Sequence, residues 1–95
     1  MIAESARAQF SRLNARWKAT IIAGMHAHLE HEPRRESKSR IKRLRGLRKA
    51  QYRLRIDSMR LFYDVDDNAG RVEVLGIVDK DEASRWILSH GEDLI

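Results

Sequence analysis

The sequence has no cysteine and a single proline, Pro33, in 95 residues. Without thiols there are no disulfides and no thiolate metal sites, and a reducing, cytoplasmic setting is the natural expectation. No apolar run reaches the ~18 residues that a membrane-spanning helix needs, so no membrane association is expected. The first ten residues, MIAESARAQF, bring an acid early and no apolar segment, and do not read as a secretory signal. Acid is scarce where base is dense. Residues 34–60 hold twelve Lys/Arg against two Asp/Glu, a surplus of +10. Residues 61–95 reverse the balance to −6, and the whole chain carries +5 with a pI near 10.1. A positive field confined to mid-chain suits a phosphate backbone or an acidic partner protein; the plainer alternative is a well-solvated loop.

What is present fits one small domain, residues 1–95, with 42% hydrophobic and 35% charged residues. Ala6, Phe10 and Leu13 recur at helical spacing and predict a helix over residues 5–13. Asn14 is a break or cap, or Leu13 and Trp17 continue one bent helix. Trp17, Ile21, Met25 and Leu29, with Ile22 flanking, predict a second helix over 15–30. Pro33 closes that region. Residues 34–42 lack apolar periodicity and read as a basic loop, with Ile41, Leu44 and Leu47 as isolated anchors and Gly46 as a turn.

Strict alternation follows. Tyr52, Leu54 and Ile56 are apolar, and Arg53 and Arg55 lie between them; 57–59 read as a turn, and 60–65 alternate again. In this antiparallel hairpin Leu61, Tyr63 and Val65 share one side, and Arg60, Phe62 and Asp64 the other. Arg53, Arg55 and Arg60 thus come together on one face. Three neighbouring guanidinium groups repel each other unless a polyanion neutralises them or local acids such as Asp57 or Asp64 pair with them. Lys42, Arg43, Arg45, Arg48 and Lys49 add to the same basic surface. Turn formers at 66–70 lead into a strand at 71–78, with Val72, Val74 and Val78 on one parity and Leu75 and Ile77 on the other. Asp79 and Glu82 form a capping-box pattern before a helix over 81–90, and Gly91 is a natural stop. The expected fold class is α+β: two N-terminal helices on a small twisted antiparallel sheet of three to four strands, with a short C-terminal helix.

The series Gly46-Leu47, Tyr52-Arg53-Leu54-Arg55, Arg60-Leu61-Phe62-Tyr63 and a Val-rich last strand resembles the RelE/ParE superfamily of toxin–antitoxin toxins. That family shows "gl…yRlRvgdyRviY", and the resemblance spans roughly residues 5–88. It implies a toxin with a cognate antitoxin, and, for RelE-like members, a ribosome-dependent mRNA endonuclease that works without metal or cofactor. Arg60 matches the arginine at the reacting phosphate, Arg53 and Arg55 match two basic positions that grip or activate RNA, and Lys80 falls on a basic position after the last strand. By this resemblance Arg60, Arg55 and Lys80 are the catalytic candidates. Arg53, Lys42, Arg43, Arg45, Arg48 and Lys49 are the RNA-binding ones. The chain departs from the pattern at Asp81, where the family is basic, and in lacking a clear C-terminal stacking aromatic. ParE-like members keep the fold and inhibit DNA gyrase instead, which is the alternative. The family's first strand precedes its first helix, where only Met1-Ile2-Ala3 stand, either as a vestige or with the strand missing.

The remaining residues weigh toward ordinary roles. His26 does not share a helix face with His28 or His31; His28 and His31 with Glu32 could form a zinc site, but no fourth ligand is evident. Trp17 and Trp86 lie on apolar helical stripes, and Tyr52 and Tyr63 on the buried strand parity, so all four read as core. Asp66, Asp67 and Asn68 suit a turn better than a calcium loop. His90, near a helix end, is a secondary candidate for proton transfer.

Overall fold

The computed structural model describes residues 2–46 and 50–91. In chain order these form α1 (Glu4–Ser11), α2 (Ala15–Leu29), β1 (Ile41–Arg43), β2 (Tyr52–Ile56), β3 (Met59–Asp66), β4 (Arg71–Asp79) and α3 (Lys80–Gly91). Asn14 separates the two N-terminal helices by capping the second: its side-chain oxygen accepts from the Trp17 amide at 2.8 Å. The break predicted there is real, and α1 ends two residues earlier than the spacing suggested.

The four strands form one antiparallel meander in the order β1-β2-β3-β4. Residues 41–43 therefore correct the expectation of a basic loop through Lys42. Ile41 is no isolated anchor; it is buried beside the core and pairs with Leu54. A three-residue strand with one apolar side chain carries too little period-two pattern to be seen in the sequence. Leu47 lies outside the described residues. At the other side of the sheet Ile2 makes a single parallel bridge to Val74, and the Ala3 amide donates to the Val74 carbonyl at 2.8 Å. Among the described residues ahead of α1 this bridge is the one sheet pairing, and no strand is formed there. α1 closes the rest of this edge: Ser5 Oγ donates to the Leu75 carbonyl, and Gln9 Oε1 accepts from the Ile77 amide at 2.7 Å.

Two cores follow from the two sheet faces. Ala6, Ile21 and Leu29 of α1 and α2 pack on Leu54, Leu61, Tyr63, Val74 and Ile77. Trp86 of α3 packs on the opposite face with Ala50, Phe62 and Leu75. Leu75 and Ile77 were expected to share a face, and they do not. Phe62 pairs with Gly76 but Tyr63 with Val74, so Leu75 is an extra residue that resets the alternation. The bulge lets β4 serve both cores. Tyr63 is fully buried; its hydroxyl donates to the Pro33 carbonyl, and burial pushes its pKa up. That bond and the Arg34–Asp67 ion pair at 2.6 Å fasten the segment after α2 to the sheet.

Candidate nucleic-acid interface

The hairpin register decides where the cations go. Arg55 pairs with Arg60, Arg53 with Phe62, and Lys42 of β1 with Arg53. Directly paired residues point to the same face, so Lys42, Arg53, Arg55 and Arg60 gather on one side of the sheet, beside the Phe62–Trp86 stack. The two-residue turn that makes this possible has Asp57 in the left-handed region at φ +51°, where aspartate is better tolerated than most side chains.

Local acids do not neutralise the cluster. Among the described residues no ion pair involves Arg53, Arg55 or Arg60. Arg60 instead donates from Nη1 to the backbone carbonyls of Asp57, at 2.9 Å, and Met59, at 3.0 Å. These bonds aim the side chain while leaving its charge uncompensated, with further N–H donors free. Asp64 sits on the same face but turns its carboxylate to the Gln51 amide at 2.7 Å. Arg53 shows the strain of the arrangement: burial, then Arg60, then Arg55 lower its pKa below the usual arginine value, and its Nε is buried with no acceptor. It still remains a cation at neutral pH.

The other sequence candidates scatter. Lys80 opens α3, with its amide donating to the Ser58 carbonyl at 2.7 Å, and so stands at the same end of the sheet as Arg55 and Arg60. Arg43 does not join them. Its Nη1 donates to the carbonyls of Leu44, at 2.6 Å, and Gln51, at 2.8 Å, and its guanidinium lies 5.2 Å from the centre of the Tyr52 ring. Parity alone separates it from Lys42. Arg45 is exposed beyond β1, at the end of the β1–β2 pair remote from Arg55. Arg48 and Lys49 lie outside the described residues. A groove at the β3–β4 tip is lined by Asp64, Asp66, Asp67 and Glu73 and is the wrong sign for an anion.

Beside the arginines three rings stack. Trp86 lies 4.2 Å from Phe62 at 2°, and His90 lies 3.9 Å from Trp86 at 11°. Gly76 leaves room for this, because a Cβ there would stand 2.5 Å from Trp86 Nε1. His90 Nδ1 is 2.7 Å from the Trp86 carbonyl and 2.9 Å from Ser89 Oγ. Trp86 is core, as its spacing predicted; the outermost ring of the stack is His90, which the apolar pattern gave no reason to place there. Among the described residues no group of three His, Cys, Asp or Glu side chains is arranged to hold a metal, and no helix is long and apolar enough to cross a membrane.

No protein-family model matches the sequence, and no curated protein matches it significantly. Solved structures do match its fold. One is the toxin–antitoxin complex RelBE2 from Mycobacterium tuberculosis, with TM-score 0.67 and 25% identity over 83% of this chain and 93% of that one. Another is the archaeal RelE–RelB complex from Pyrococcus horikoshii, with TM-score 0.66 and 20% identity over 83% and 90%.

Proposed function

We propose, from the premise that this chain has the RelE/ParE toxin fold, that it is the toxin of a toxin–antitoxin pair and a ribosome-dependent mRNA endonuclease. The observation that carries this reading is the set Arg53, Arg55 and Arg60 on one sheet face with no carboxylate paired to it among the described residues. In the reaction the 2′-oxygen of a nucleotide attacks the adjacent phosphorus and the bond from phosphorus to the 5′-oxygen breaks. The products are a 2′,3′-cyclic phosphate and a 5′-hydroxyl. The pentacoordinate intermediate carries extra negative charge, and cations already fixed in place stabilise it most. Arg60, aimed by two backbone carbonyls, is the phosphate ligand; Arg55 and Arg53 flank it. Arginine stays protonated, so the proton leaving the 2′-hydroxyl and the one reaching the 5′-oxygen need other groups. Lys80 and His90 are the titratable side chains placed on this side. No metal or cofactor takes part in this scheme. The antitoxin is an acidic segment that covers the arginine face when the toxin is held inactive; both matched structures are toxin–antitoxin complexes.

Expression of the wild type should stop translation in the cytoplasm and leave 5′ ends within translated codons. Arg60→Ala should lower cleavage by about 10²-fold, the usual cost of one oxyanion-stabilising donor. Intact transcripts during growth arrest would sink the nuclease. The second reading, a ParE-like gyrase inhibitor, is favoured by the exposed Asp81 next to Lys80 and by the burial of Trp86 in the core. Inhibition of supercoiling by the purified protein decides for it.

A further inference from the structure

The arginine row does not end at β2. The Arg55 amide donates to the Arg40 carbonyl at 2.8 Å, which sets Arg40 opposite Arg55 and continues the line begun by Arg60. The Arg40 amide in turn donates to Ser37 Oγ at 3.0 Å. The backbone of Arg40 is therefore held from both sides, while its side chain is exposed and meets no acceptor among the described residues. An extended arginine outreaches the ~4.8 Å between neighbouring strands, so a phosphate seated at Arg55 lies next to the territory of Arg40. We propose that Arg40 grips a second phosphate of single-stranded RNA, one nucleotide away from the phosphate held by Arg55 and Arg60. This rests on the nuclease reading and widens its footprint.

Arg40 also borders a groove against the end of α2, together with Glu32 and Arg35. Arg35 is already paired with Glu32 at 2.9 Å. The C-terminal carbonyls of α2 also face that region, and the partial negative charge of a helix end disfavours an anion. Arg40, like the exposed Lys38 two residues before it, has no ion pair among the described residues. The free protein gains nothing from it, since like charges opposite one another on a sheet destabilise it.

The test is binding of a fluorescent single-stranded RNA across a salt series, with melting of each variant in parallel. Loss of one phosphate contact reduces the slope of log K against log salt by about 0.7 for a single strand. Arg40→Gln should lose that increment without a fall in Tm, Arg40→Lys should restore it, and Arg35→Gln should keep the wild-type slope. An unchanged slope in Arg40→Gln overturns the assignment, as does a slope loss with a lowered Tm that Arg40→Lys does not restore. A wild type that binds no RNA at low salt overturns it as well. The nuclease reading fails or stands separately, on transcript cleavage by wild type against Arg60→Ala.

Discussion

Arg53 is the least comfortable charge in the molecule. It is half-buried, its Nε lacks an acceptor, and burial, then the Arg60 and Arg55 guanidinium groups, press its pKa down. On the proposed function such a side chain is held for a ligand and not for the fold. Arg53→Gln should therefore raise Tm in the free protein, since relief of a like-charge cross-strand contact is worth about 0.2–1 kcal/mol. RNA affinity should fall in the same variant. A lowered Tm would show Arg53 to be structural, packing its stem against Phe62 instead of waiting for an anion. The three hairpin arginines were legible in the sequence because period two is unambiguous over five residues. Arg43 was not: charge clustering counted it, while its one-residue offset from Lys42 sends it to carbonyls at Leu44 and Gln51. Composition finds the basic stretch; only parity within a strand tells which of its members share a face.

At the scale of elements, the bulge in β4 and the stack on α3 depend on each other. Leu75 and Val78 face the α3 core because one extra residue shifts the alternation, and Gly76 then brings bare backbone beneath Trp86. The helices and the hairpin could be read from spacing, since each repeats its signal several times. The bulge was not legible in spacing, because both parities of 72–78 are apolar; Gly76 beside it was the one mark in that run. β1 was hidden for a different reason: its partner strand, not its own sequence, makes it a strand. The two packed glycines should respond differently to one added methyl. In Gly76→Ala the Cβ meets the rigid indole at Nε1 and Cε2, 2.5 and 2.6 Å away, and the ring must leave Phe62. Overpacking of this kind costs about 1–3 kcal/mol. In Gly24→Ala the Cβ meets the Cδ1 end of Ile56, which can change rotamer, and alanine restores up to about 1 kcal/mol of helix propensity. Denaturant titration should place Gly76→Ala well below wild type and Gly24→Ala within about 1 kcal/mol of it. Equal losses would mean that Trp86 moves as easily as an isoleucine methyl.

Across the whole molecule the sheet is polarised. Cations crowd the end near the 57–58 turn, and Asp64, Asp66, Asp67 and Glu73 line the tip at 66–70. A net charge of +5 does not describe this distribution: four acids line the 66–70 tip, while Asp57, Asp79 and Asp81 lie near the arginine end without an ion pair to Arg53, Arg55 or Arg60 among the described residues. On the proposed function the free chain carries repulsion that a bound polyanion would remove, so binding and folding would be linked. Any ligand that binds only the folded state stabilises it, by about 2.7 kcal/mol at one hundred times its Kd. For a chain of this size that corresponds to a rise in Tm on the order of 10 °C. Short single-stranded RNA should give such a rise at low ionic strength, and added salt should erase it as screening shortens to ~8 Å or less. An acidic polypeptide that covers the same face should raise Tm too and then exclude the RNA. With Arg53, Arg55 and Arg60 all changed to Gln the RNA increment should disappear, although the unliganded protein should melt no lower than wild type. Persistence of the rise in that triple variant would move the binding surface away from the hairpin and leave its arginines without a partner.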